Sequence, residues 1–157
     1  MSTAPTAAKV YDTLRPKILQ RLIDMRATLD PSLARVDEAS ARAQIDAVLE
    51  RIGNFIATGD LGLHRAFLHT LLAMRAAEVQ PPAAVLALLV VIGDTAAQVA
   101  QDEGAGTTEG AELTLLLTRV TASTARAVND LIAEELERRT EQLAGLRTKE
   151  QTALEPP

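Results

Sequence analysis

The sequence predicts an all-α protein, on three observations. Aromatic residues make up only 2% of the chain, and strand-forming residues are sparse beside abundant alanine and leucine. The apolar residues recur at three- and four-residue steps along every long segment. Prolines, glycines and short polar residues fall between those segments, where helices begin and end.

Taken in order, residues 1–7 form a loose start, and Val10, Leu14, Ile18, Leu22 and Met25 then mark an amphipathic helix that stops near Leu29. Pro16 falls in its first turn or kinks it. Asp30 followed by Pro31 is a good cap and first turn for a second helix, which runs through Val36, Ile45, Leu49 and Ile52 to about Ala57, with Gly59 ending it. Asp60 caps a third helix, Leu61 to Val79, and Pro81-Pro82 divide that from a fourth, which lasts until about Asp102. The segment EGAGTTEG reads as a flexible connector. A fifth helix starts near Glu109 and continues to about Thr148, far beyond the roughly 11 to 12 residues of an average helix. The expected organisation is one domain over residues 8–148, a flexible N-terminus at 1–7 and a flexible tail at 149–157.

A net charge of −5 and a pI near 5.1 repel phosphate backbones and anionic lipid, so nucleic-acid partners are not expected. There are no cysteines, which removes disulfides, thiolate catalysis and thiolate metal sites. The first residues lack the basic-then-apolar order of a signal peptide, so the expected location is cytoplasmic. The longest uncharged run, Val79 to Gly93, falls short of the roughly 18 to 20 residues that span a bilayer, and it is expected to be a core helix rather than a membrane segment.

Catalytic chemistry finds little material. His64 and His69 are five residues apart, about 140° around a helix, so they cannot chelate one metal together. No metal-binding helix motif and no nucleophile elbow occurs. Gly104, Gly106 and Gly110 lie between helices rather than after a strand, the wrong context for a phosphate-binding loop. Asp94, the first charge after the apolar run, reads as a buried acid or as the point where helix four reaches solvent. Neither an enzyme nor a bound cofactor is expected.

The helix faces are more informative. On helix three Leu61, Leu68, Leu71, Leu72 and Val79 form one stripe, with His64 and Arg75 in its middle and Glu78 one turn beyond. His69 is on the polar side. Two readings stand. In one, His64, Leu68, Arg75 and Glu78 line a small ligand pocket in which the guanidinium holds an anion. In the other, Arg75 pairs with Glu78 and snorkels past the leucines, while His64 is a satisfied residue at the edge of the core.

Helix four has no polar face from Ala83 to Ile92 and needs cover on every side, in part from a second subunit. In helix five Ile132, Leu136, Arg139, Leu143 and Leu146 step by four, three, four and three, the spacing of a heptad seam. A homodimer is therefore expected, with Val85, Leu89, Ile92, Leu116, Val120, Ile132 and Leu136 at its interface.

The helix order, together with IGNFIATGD, HRAFLHTLLAMRAAEVQPPAAV and the long last helix with EELERRTEQL, resembles the N-terminal globin-like sensor domains of stressosome proteins of the RsbR type over roughly residues 10–148. It is more distantly similar to globin-coupled sensors. The resemblance implies a globin-like bundle of about five helices that dimerises through its last two and passes a signal to a downstream partner. In haem-binding relatives a proximal histidine precedes a proline-bearing corner, and matching that corner to Pro81-Pro82 places Arg75 at the histidine's position. The stressosome domains mostly bind no haem, and Arg75 fits them. The expectation is a non-haem sensory module without catalytic activity. The alternatives are a haem-binding gas or redox sensor using His64 or His69, and a helical scaffold whose seam docks a partner.

Overall fold

The structure, a computed structural model, describes residues 6–29, 34–77 and 82–154; the side chains at 72–77, 82–86 and 131 lie outside that description. Among the described residues five long helices follow one another: α1 (Ala7–Leu29), α2 (Glu38–Thr58), α3 (Leu61–Ala77), α4 (Pro82–Glu103) and α5 (Thr108–Leu154), with Ala34 and Arg35 also helical. No strand occurs among the described residues. The fold is an all-α bundle with a long C-terminal helix. Among the described residues no helix is long and apolar enough to cross a membrane.

Each helix forms because its apolar residues fall on one stripe, and that stripe decides what it touches. In α1, Tyr11, Leu14, Ile18 and Leu22 are buried at steps of three and four, against α2, α4 and α5. Pro16 stands well inside this helix rather than in its first turn. Its ring is exposed, and the turn it interrupts is on the solvent side, where water can satisfy the carbonyl left without a donor. The Tyr11 hydroxyl donates to the Leu49 carbonyl at 2.5 Å, tying α1 to α2 in the core. Burial holds the phenol well above its usual pKa, so it stays a neutral donor. Its ring rests on Gly53, where a Cβ would sit 3.0 Å from Tyr11 Cε1.

The second helix begins later than its sequence predicts. Asp30 and Pro31 lie outside the described residues, but Val36 is in a bend and Asp37 is extended, so a helix continuous from 31 to 57 does not form. Asp37 is the cap. It accepts from the Ser40 backbone N–H at 2.9 Å and from the Ser40 hydroxyl at 2.7 Å. These bonds hold its carboxyl below the usual carboxylate range. At the other end Gly59 takes a left-handed φ of 70° and returns its N–H to the Phe55 carbonyl at 2.6 Å. Asp60 then caps α3 through the Gly62 and Leu63 amides, as the sequence predicts.

The cap gives a direct test. Asp37→Ala removes an acceptor from the first turn of α2 and is expected to lower Tm by a few degrees. Because the folded carboxyl is held below its unfolded pKa, the stabilisation it gives is present above the unfolded pKa and is lost as pH falls through the folded one. The gap between wild type and variant is therefore expected to narrow in thermal melts taken towards strongly acidic pH.

Helices α4 and α5 form an antiparallel hairpin, the most extensive packing in the molecule. Its corner is not a flexible connector. The Gly104 N–H donates to Ala100 O at 2.9 Å, and the Thr107 hydroxyl donates to Gly104 O at 2.9 Å. Thr107 also caps α5, its oxygen accepting from the Gly110 N–H at 3.0 Å. Gly104 and Gly110 are both buried, backbone against backbone. At Gly93 a Cβ would press on the Thr121 hydroxyl, with the Thr121 Cα 3.7 Å away, so there the obstacle is a side chain rather than backbone. The last helix runs to Leu154, past Thr148.

Candidate functional site

The inner face of α3 carries His64 and Leu68 on successive turns, and both are buried. The His64 Nε2 is 3.1 Å from the Thr124 hydroxyl oxygen in the middle of α5. The tautomer follows from the neighbours. The Thr124 hydroxyl donates its proton to Val120 O at 3.0 Å, so its oxygen is left to accept, and Nε2 carries the proton. That leaves Nδ1 a bare acceptor, shielded from solvent and without a partner among the described residues. Burial lowers the pKa of His64 below its ordinary value, so the ring is neutral at pH 7.

Grooves flank this pair on both sides. One, of ≈ 360 Å³, lies between α3 and α5 over Leu68 and Ala127, with Arg65, His69, Arg126 and Asp130 on its rim. The other, of ≈ 250 Å³, lies between α2 and α3 and is lined by Asn54, His64, Phe67 and Thr70. Arg51 covers its aromatic wall, the guanidinium carbon 5.7 Å from the Phe67 ring centre.

Of the pocket residues predicted from sequence, the structure brings His64 and Leu68 together. The Arg75 side chain and Glu78 lie outside the described residues. His69 is exposed on the far side of α3 from His64, as the helix angle requires. Among the described residues no group of three or more histidine and carboxylate side chains is placed to hold a metal ion. His64 also fits an iron poorly, because Nε2, the outward nitrogen, is committed to Thr124.

The predicted dimer residues divide. Leu89, Ile92 and Val120 are buried against their own chain and have no surface left to offer a second copy. Leu116 is half-buried, Ile132 and Leu136 are exposed, and the side chain of Val85 lies outside the described residues. Helix α4 is thus covered on one face by α1 and α5, while Ala87 and Val91 face solvent on the other. Asp94 is exposed, at the point where the helix meets water. Leu143 and Leu146, on the predicted heptad seam, are more than half exposed, and so is Leu115, which the prediction omitted and which the same heptad count reaches when run back along α5.

Thr124→Val leaves a buried Nε2–H with nothing to accept it and is expected to cost about 1–3 kcal/mol. Removing both partners, with His64→Leu in the same chain, is expected to recover much of that loss in urea titrations. The pH dependence has a definite sign. The folded ring resists protonation while the unfolded one takes up a proton near about pH 6.5, so stability is greatest above that pH and declines as pH falls below it. In His64→Leu that decline should flatten.

No known protein family, curated protein or solved structure matches the chain.

Proposed function

We propose that this chain is a non-enzymatic, cytoplasmic sensory or regulatory module of globin-like type, acting as a homodimer. A change in packing or in a bound ligand at α3 alters how the last helix leaves the bundle, and a downstream protein reads that geometry. One observation carries the reading. The first half of α5 is bonded to α3 through Thr124 and His64, while after Glu135 every residue described is exposed. A single rigid rod thus links an interior contact to a solvent-exposed projecting arm of roughly 30 Å from 136 to 154. Such an arm adds nothing to the chain's own core, and its apolar stripe supports a role in contact with other molecules.

The reading is tested by light scattering on the purified chain at tens of micromolar. A dimer is expected. A monomer removes the transmitting element. Hydrogen exchange adds the coupling: His64→Leu is expected to change amide protection in α5 around Thr124 and onwards along the arm, whereas a change confined to α3 overturns the proposed route.

A further inference from the structure

The apolar stripe on α5 is longer than its exposed arm. Continuing the heptad steps towards the N-terminus from Ile132 gives Asn129, Ala125, Ala122, Thr118 and Leu115. Of these all are exposed except Ala125, which is half-buried. The residues that bury α5 in its own bundle, Leu113, Leu117, Val120 and Thr124, lie on the other side of the helix. One face of α5 therefore runs unpartnered from Leu115, beside the bundle, to Ala153, near the end of the arm.

We infer that two copies pair antiparallel along this face, each arm lying on the bundle-bound half of the other copy's α5, with the twofold axis at Glu134. The inference rests on the dimer proposed above and specifies its geometry. The order of residues along the face decides both direction and register. With the axis at Glu134, Ile132 meets Leu136 of the second copy, and Asn129 meets Arg139. Beyond them Ala125 meets Leu143, Ala122 meets Leu146, and Thr118 meets Glu150. At the end Leu115 meets Ala153. Two large residues meet at the central Ile132–Leu136 layer; outside it large residues oppose small ones, and polar residues oppose polar ones.

Other arrangements lose that match. Sliding the register one heptad in one direction sets Asn129 against Leu146 and Leu136 against Arg139; sliding it in the other sets Asn129 against Ile132 and Arg139 against Ala122. A parallel pair sets Arg139 against Arg139 and Glu150 against Glu150, like charges facing each other in the seam. At the antiparallel axis the two copies of Glu135 approach, but each is already held by Arg138 and by Arg139 of its own helix, the latter at 2.9 Å. Arg119 comes near Arg147 of the second copy at the rim, an exposed contact that salt screens.

The absence of cysteine makes the test clean, since introduced thiols are the only ones present. Full-length Asn129→Cys and Arg139→Cys variants are oxidised separately and as a mixture. The expected result is a disulfide-linked dimer in the mixture and little or none in either variant alone, because a disulfide needs Cα atoms within about 7 Å. A second mixture, Ala125→Cys with Leu143→Cys, should behave the same way and does not touch the polar layer. Self-linking of each variant alone, or a dimer that links in neither mixture, overturns the antiparallel register while leaving the dimer intact. A monomer by light scattering sinks the dimer itself. Leu143→Asp, which alters no residue of the bundle, is expected to weaken association at least about tenfold while leaving the helical signal of the monomer unchanged; unaltered association overturns the proposal.

Discussion

Gly110→Val is expected to destabilise the α4–α5 hairpin strongly, because the substitution falls where the two helices are buried backbone against backbone. A Cβ at Gly110 would stand 2.7 Å from Gly104 Cα and press on the Gly104 carbonyl oxygen, with the Thr107 hydroxyl 2.7 Å away on another side. The atoms that block it are backbone, and they cannot rotate aside. The reciprocal change fares no better, because a Cβ on Gly104 would meet Gly110 Cα at 2.7 Å and Ala100 O at 2.7 Å. Relief requires prising α4 from α5, the contact on which the bundle depends most. The expected loss is about 3 kcal/mol or more, read as a fall in the urea midpoint. Gly145→Ala is the control. It has no neighbour within 4 Å, sits in the arm, and is expected to gain up to about 1 kcal/mol of helix stability. If Gly110→Val keeps a wild-type midpoint, the close approach of the two backbones is wrong.

Leu117→Ala is expected to cost about 2–5 kcal/mol, the usual range when a fully enclosed leucine is cut back to a methyl and the space cannot collapse. Leu117 has no exposed surface and packs in the centre of the core. A chain of this length is held by roughly 5–15 kcal/mol in total, so the variant loses a large share of its margin. Leu136→Ala makes the same chemical change on a residue 61% exposed, and in an isolated chain it should leave the urea midpoint almost unmoved. The pair separates two kinds of apolar residue that look alike in sequence. Equal losses at both positions in dilute solution would mean that the arm is not solvent-exposed.

The helical character of the chain, the breaks at Gly59 and Asp60, and the unusual length of α5 were legible from spacing and cap residues, because those signals are local. The start of α2 was not. Ala34 and Arg35 are helical, so what the sequence does not announce is the break at Val36 and Asp37, beside which Arg26 reaches Glu38 at 3.6 Å across the α1–α2 angle. The corner at Gly104 and Gly110 was misread as flexible because a glycine needed for closeness and one needed for freedom have the same letter. Only Gly106, with φ 82°, is there for its conformation.

The site divides in the same way. The stripe that buries His64 and Leu68 was visible as a period of 3.6, yet the partner of His64 is sixty positions away in a helix where Thr124 resembles any other threonine. The inward and outward residues of α4 were unreadable for a further reason. A run with no polar residue has no face, so periodicity cannot tell Leu89, which turns inward, from Val91, which does not. On α5 polar residues interrupt the run, and there the exposed positions of Ile132 and Leu136 could be found.

Tyr11 gives the molecule an optical property. It is the chain's sole tyrosine, there is no tryptophan, and it is sealed where α1 meets α2. Excited beyond the phenylalanine absorption band, emission therefore comes from one ring in one place. Burial holds that phenol above its usual pKa while the fold is closed, so phenolate absorbance that appears after a jump to moderately alkaline pH reports the opening of the α1–α2 seam without a label.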